Sequence, residues 1–430
     1  MWTSVPAVAL LMAGCGQGQE QAAAAGSSTS TSTGTGTDTD RDADDDSTTA
    51  EPEEPFDRSQ CSTALSGGLS WSISRQSTVG RGGGRDLARA SDDSVYMLDG
   101  CLSRWNEDGS REWEVLEASG WDCFAMDVDP ARGPVVVGRQ GGRQPLIAAF
   151  EPSGAPRWIM PTVVEEPPEE LPEVFVVAYD VVVDDGGGLF VAGTRVPIQE
   201  PPRSYAWLSR IDPEDGSVIW ERELDEVISV PHLTTAGDEI VLAEVRRNAA
   251  GIESIELLTF DVDGQPQDHW SSLDALGLPL ELVAVAGDYQ GSIALVGRDH
   301  SVAGSPFVLA LLGSTGAPQW VRSGLDVPWL QETITTVAID PCGSVVIAGS
   351  GDLETADWGN LWVAKVDLGG ELRWSTFVPA PYFSRSTKVA ALRIEPDGGV
   401  LAAGLEIIGA QRTEDEVVLF ANSWLGRLRP

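Results

Sequence analysis

Tryptophan returns along this chain at a set distance behind a turn glycine. Trp113, Trp158, Trp220, Trp320 and Trp374 each stand four residues after Gly109, Gly154, Gly216, Gly316 and Gly370. Trp270 follows Gly264 by a longer turn, and Trp71, in LSWSIS, is the seventh of the set. Successive intervals are 42, 45, 62, 50, 50 and 54 residues. Self-similarity at such a period means one structural unit repeated, each unit burying its apolar surface against the next.

Two further landmarks recur out of phase with the tryptophans. A turn is followed by a β-rich run ending in glycine at Gly138, Gly193, Gly297, Gly349 and Gly404. Before each turn-and-Trp unit lies another such run, as in LIAAFEPSG and LWVAKVDLGG. These segments are rich in Val, Ile, Leu and aromatics between turn residues, which is strand chemistry, and no pattern of helical length appears. One period therefore holds four strands, with Trp on the fourth. Four short strands in 40–55 residues is the signature of a propeller blade. Counting first-to-third strand units gives seven, starting near Leu87, Phe124, Val177, Ile228, Leu282, Ile334 and Val389. The expected fold is all-β: a seven-bladed β-propeller of four-stranded blades over 61–430. The last unit, VVLFANSWLGRLRP, lacks a fourth strand, while 67–74 has a Trp strand without the first three. The N-terminal strand is thus expected to complete the last blade and close the ring, removing exposed sheet edges.

The unit from Asp340 to Trp374 resembles the bacterial β-propeller repeat often called SBBP, whose pattern is roughly D-x-x-G-x-x-x-V-x-G, a variable loop, then [VA]-K-[LVI]-D-x-x-G-x-x-x-W. The other units match more loosely, and 237–244 lacks the terminal glycine. The resemblance implies architecture; the family shares no catalytic motif.

The first sixty residues speak to location. Residues 1–15 carry an apolar stretch, Val5 to Met12, followed by Ala13-Gly14-Cys15. This is a secretory signal in outline and resembles a bacterial lipoprotein signal, with Met12-Ala13-Gly14-Cys15 as lipobox. The resemblance implies acylation of Cys15, an anchor in the lipid bilayer and, with Gly16 next, the outer membrane. Residues 16–60 repeat Ser, Thr, Gly and Asp, with 11 acidic and two basic side chains and Phe56 as the one aromatic. Such a segment cannot bury enough apolar surface to offset its ordering entropy and reads as a disordered acidic tether reaching roughly 35–40 Å. The run 38–46 superficially resembles a calcium loop but has Ala43 and Thr49 where Gly and Glu belong, so it reads as a solvated charge run.

The whole chain has 66 acidic and 28 basic residues, net charge −38. That balance excludes nucleic acid, which needs clustered Lys and Arg. Four cysteines follow Cys15, and in an oxidising compartment two disulfides among three connectivities are expected. Blade topology favours Cys101 with Cys123 and Cys61 with Cys342. The seven repeating tryptophans (Trp71, Trp113, Trp158, Trp220, Trp270, Trp320 and Trp374) read as blade-docking side chains. Trp121, Trp329 and Trp358 fall off register and are candidates for a binding surface. His232, His269 and His300 are isolated and read as ordinary surface or satisfied residues. GRGGGR at 80–85 precedes a strand, not a helix, and reads as an inter-blade loop. No motif calls for a metal, a cofactor or a catalytic role.

The longest interval, Trp158 to Trp220, contains VVEEPPEELPEV at 163–174 and VPIQEPPRSY at 196–205. Both are Pro-stiffened connections on one face of blades two and three, where binding concentrates on a rigid scaffold. The expected function is a non-catalytic, monomeric envelope lipoprotein whose propeller binds an unknown protein or polysaccharide there. Two alternatives, a quinoprotein-like dehydrogenase and a barrel-assembly propeller subunit, would both gain from a count of eight blades.

Overall fold

The computed structural model describes 69–76, 86–90, 92, 94–98, 102–106, 108–115, 121–141, 144–160, 174–197, 203–302, 306–323, 334–352, 359–378, 386–394, 399–412 and 417–428. These residues form seven four-stranded antiparallel sheets arranged as a ring, a seven-bladed β-propeller. The innermost strands, one per blade, are Asp86–Arg89, Trp121–Asp129, Val174–Val183, His232–Ala236, Leu280–Gly287, Ile334–Ile339 and Ser386–Ile394. A one-turn helix, Ser272–Leu276, joins blades four and five, where the sequence pattern gave no sign of one.

Closure is as expected from the chain ends. Leu69–Gln76 pairs antiparallel with Val417–Leu428 as the outermost strand of blade seven, with Trp71 opposite Arg427. Packing confirms the ring, because a buried apolar cluster lies between each pair of neighbouring blades. The closing one joins Leu87, Val95, Met97 and Trp105 of blade one to Ala391, Leu401, Ala403 and Leu425 of blade seven.

The repeating tryptophans occupy the outermost strands, and those from Trp113 to Trp374 meet the following blade. A Cβ added to Gly154 would lie 3.0 Å from the Trp113 ring, at Gly216 2.7 Å from Trp158, and at Gly264 2.9 Å from Trp220. Trp270 over Gly316 and Trp320 over Gly370 continue the series at 3.1 Å. The turn glycine therefore serves twice: it adopts a left-handed φ, +77° at Gly216, and it leaves room for an indole from the blade before. Three of these indoles also donate Nε1–H to a turn carbonyl: Trp113 to Pro152 at 3.0 Å, Trp158 to Pro213 at 2.9 Å and Trp220 to Val262 at 3.1 Å.

The recurring second-strand glycine has a different cause. In blades two and three the innermost strand bulges, between Cys123 and Ala125 and between Ala178 and Asp180. The bulge pushes a carbonyl into the second strand, so a Cβ at Gly138 would sit 2.0 Å from Asp122 O, and one at Gly193 2.0 Å from Val177 O. An indole fills the rest of the space at Gly193, where Trp207 is directly opposite. Blade four departs as its sequence does. Its innermost strand pairs without a bulge and starts at His232 rather than Ile228, so no carbonyl intrudes. Glu244 then stands where blades two, three, five, six and seven carry glycine.

Candidate functional site: the central channel

A cavity of about 540 Å³ is lined by all seven innermost strands. Those strands have no neighbour on their inner side, so backbone amides facing the axis need other acceptors. Side chains from the preceding blade supply them. Asp86 Oδ2 accepts from Met126 N at 2.9 Å, Asp127 Oδ2 from Val183 N at 2.8 Å, and Asp180 Oδ2 from Leu233 N at 2.8 Å. Thr234 Oγ1 accepts from Gly287 N at 2.7 Å. Each aspartate also accepts, through Oδ1, from the amide that follows it, at 2.8–2.9 Å. Blades one to five are thus linked in order by hydrogen bonds near the axis. Arg393 of blade seven completes the arc, with Nη2 3.7 Å from Asp86 Oδ1.

Three carboxylates face one guanidinium here. Burial pushes Asp86 up to about 6 against the pull of Arg393, and pushes Asp180 up to about 7 against its two backbone donors. Burial raises Asp127 as well. Arg393 would fall on burial, but the three carboxylates outweigh that and hold it charged. The Arg393 side chain is 43% exposed, and solvent there moderates all these effects. His232 Nδ1 lies 3.8 Å from Asp180 Oδ2, and burial lowers its pKa, favouring the neutral ring.

One mouth is aromatic. Phe124 and Tyr179 stack with ring centroids 5.4 Å apart, and Arg139 lies over Phe124 at 5.7 Å. The first residue of the blade-three inner strand, Val174, pairs with Pro197, the last of the second strand. The chain therefore leaves for 161–173 and 198–202 on one face, the face on which Phe124, Tyr179 and His232 lie. Those two connections are themselves outside the described residues.

A second polar cluster lies in blade four. Glu244, fully buried, stands opposite Glu256 and pairs with Arg246 Nε. Glu256 takes His269 Nε2 at 2.7 Å and Ser271 Oγ at 2.9 Å, and Arg246 Nη1 reaches Asp225 at 2.6 Å. Burial pushes Glu244 up to about 7, with Arg246 opposing. Glu244 and Glu256 are buried, whereas His269 and Asp225 are exposed.

The residues singled out in the sequence fall elsewhere. The outermost-strand tryptophans are far from the axis by topology. Trp121 is half-buried and packs on the cluster between blades one and two, while Trp329 and Trp358 lie outside the described residues. Cys123 is buried and belongs to the apolar inter-blade cluster with Leu98 and Leu102, and its expected partner Cys101 lies outside the described residues. Cys342, in the turn after the blade-six inner strand, is disulfide-bonded. Cys15, Cys61 and Cys101, the tether and 80–85 lie outside the described residues. Among the described residues no three His, Cys, Asp or Glu side chains converge to hold a metal ion. His269 and His300 pair with Glu256 and Glu281, whereas His232, read as ordinary, lines the channel. The Asp and Lys of the SBBP-like pattern, Asp340 and Lys365, form a buried ion pair within blade six.

No protein-family model matches the chain, and no curated protein matches it. Solved structures similar to it are propellers of varied kinds. A virginiamycin B lyase from Staphylococcus aureus is 10% identical, covering 83% of this chain and 99% of its own, with a TM-score of 0.49. The WD40 domain of SCAP from fission yeast is 9% identical, covering 82% and 96%, with a TM-score of 0.40. A subtype N11 neuraminidase-like protein of A/flat-faced bat/Peru/033/2010 (H18N11) is 9% identical, covering 84% and 94%, with a TM-score of 0.40. These likenesses reach the fold alone.

Proposed function

We propose that this chain is an outer-membrane lipoprotein, anchored through acylated Cys15, whose propeller binds a protein or polysaccharide and performs no catalysis. The observation that carries the binding reading is a coincidence of faces: the aromatic mouth of the channel opens where the two Pro-rich connections leave the ring. Rigid blades hold that mouth in place, and the connections supply variable contact surface around it. The channel's aspartates accept backbone amides across the blade junctions, which suits a scaffold more than acid–base chemistry. The quinoprotein-like and barrel-assembly readings both draw on eight blades, and the seven here favour neither.

The test is affinity capture from membranes with the full chain, followed by mass spectrometry of partners. Deleting 163–174, or replacing Phe124 and Tyr179 by Ala, should leave folding intact and abolish capture. Capture that survives both changes sinks the binding-face reading. Metabolic labelling with palmitate tests the anchor separately: label should enter the natural chain and be lost on Cys15→Ser. We further propose Cys61 as the partner of Cys342, a bridge that would tie the approach to the closing strand to blade six. Non-reducing peptide mapping should recover the two in one species.

A further inference from the structure

The inner edge of the ring is capped on one side and bare on the other. Where the inner strands of blades five and six enter their first turns, Asp288 N donates to Ser292 O at 3.0 Å and Asp340 N to Ser344 O at 2.9 Å. Ladder bonds alternate along an antiparallel strand, so Ala286 and Ala338 bond outward to the second strand. The residues between them, Val285 and Gly287 in blade five and Val337 and Ile339 in blade six, turn N–H and C=O to the axis. Met126 of blade two holds the same place as Val337, and Val183 of blade three the same place as Ile339. Their amides go to Asp86 and Asp127, and that of Gly287 goes to Thr234. Among the described residues no side chain accepts from Val337 N or Ile339 N. The cause lies one blade back. Asp127, opposite Val135, reaches forward to Val183 N, whereas the same register of blade five holds Ala286, opposite Ala294. A methyl group cannot accept. Blade six therefore offers the channel an unpaired strand edge, which the surrounding ring shelters from edge-to-edge association.

A partner for such an edge must carry amide and carbonyl at strand spacing, as an extended peptide does. Charge then selects among peptides. Both oxygens of Asp86, Asp127 and Asp180 accept backbone amides, as carboxylates do, and each carboxylate keeps further lone pairs. Asp340 is paired with Lys365, and Arg393, the one Lys or Arg among the lining residues, holds Nη1 on Leu392 O at 3.2 Å. The lumen is thus acidic, and Phe124 and Tyr179 add ring faces that attract cations. Its volume of about 540 Å³ falls within the roughly 300–1,000 Å³ of small-ligand sites. We propose that the channel is a peptide site: a short extended peptide with basic side chains pairs with the inner edge of blade six at Val337 and Ile339, opposite Asp86, Asp127 and Asp180. This site lies inside the ring and does not depend on what the Pro-rich connections bind.

Solvent exchange of single amides, read by NMR on the full chain at about pH 8 so that the carboxyls are ionised, tests the pairing. In the free chain, Val337 and Ile339 should exchange faster than Met126 and Val183, once corrected for intrinsic rates. The probes are the tripeptides Lys-Val-Lys and Glu-Val-Glu, acetylated and amidated at their ends. Lys-Val-Lys at ten times its Kd should slow Val337 and Ile339 about tenfold and leave Met126 and Val183 unchanged. Glu-Val-Glu at the same concentration should do nothing. Ala286→Asp gives blade five the cap that Asp127 provides in blade two. It should slow Ile339 without peptide and weaken Lys-Val-Lys binding at least tenfold. If Ala286→Asp does not fold, the two tripeptides on the natural chain decide alone. No slowing by Lys-Val-Lys, equal slowing by Glu-Val-Glu, or equal slowing at Met126 and Val183 overturns the proposal. Slowing by maltose in place of the peptide overturns it too, and makes the bare edge a saccharide site.

Discussion

The outer belt and the central channel of this molecule solve the same problem, joining one blade to the next, by opposite means. In the belt one contact is repeated: an indole from one blade lies over the turn glycine of the next, from Trp113 on Gly154 to Trp320 on Gly370. In the channel no contact is repeated around the whole ring. Asp86 and Asp180 lie four residues before the residue that opens the following turn (Ala90, Asp184), Asp127 only two before Asp129, and blade four uses Thr234. Packing of apolar surface tolerates a uniform solution, since every junction must bury about the same area. Amides facing a lumen need only some acceptor, so each blade is free to supply a different one.

The strongest break in the comparison is removal of the strand that makes the belt and the channel closed structures at all. Deleting 62–75 strips blade seven of Leu69–Gln76 and exposes the edge of Val417–Leu428. Cooperative thermal unfolding should disappear, read by circular dichroism; a sharp transition near the natural one would show that closure does not depend on this strand. Next in size is Gly193→Ala, which puts a Cβ 2.0 Å from a backbone carbonyl and 2.5 Å from Trp207. Neither neighbour can retreat, so the loss should exceed about 4 kcal/mol in chemical denaturation. Gly141→Ala is the control: its φ is +59° but nothing lies within 4 Å, and it should lose only about 1 kcal/mol.

Glu244 brings a channel-like charge into a position that blades two, three, five, six and seven give to glycine, and it should betray itself by pH. Its carboxyl titrates near 7 in the folded chain, above its ordinary range. Its contribution is therefore favourable in mild acid and is lost as the pH rises through 7. Glu244→Gln should be close to neutral at about pH 5 and stabilise by roughly 1–3 kcal/mol at about pH 8. Equal effects at both pH values would mean that Arg246 already compensates the buried charge in full.

The belt was legible in the sequence because it repeats, and a repeat is visible without knowing what touches what. Blade number, strand count, the outermost position of Trp and the closing strand all followed from spacing. The channel was not legible for the converse reason. Asp86, Asp127, Asp180 and Arg393 are scattered over three hundred residues and share no single offset common to all four, so only the ring brings them together. Part of their signal was nonetheless present: in AMDVD and AYDVVV an aspartate sits inside a strand among apolar neighbours, where a turn-capping role cannot explain it. Glu244 was visible as a missing glycine, but its cause, the absence of a bulge in the neighbouring strand, is a matter of register that spacing does not report.

The smallest predicted effect tests whether the belt is as uniform as its spacing suggests. Trp158 donates Nε1–H to Pro213 O at 2.9 Å, whereas Trp320 Nε1 is buried without a hydrogen-bond partner. At the Trp320 junction the carbonyls of Gly369 and Gly370 instead accept from Arg322, at 3.1 and 3.0 Å. Replacing either Trp by Phe removes similar apolar area, so the packing losses should nearly cancel in the comparison. What differs is the polar atom. Trp158→Phe strands a turn carbonyl that had a donor, while Trp320→Phe removes a donor that had no acceptor. Trp158→Phe should therefore be the more destabilising by about 1 kcal/mol in urea unfolding. Equal losses would mean that the indole nitrogen is incidental throughout, and that the belt is held by the shape of Trp against Gly alone.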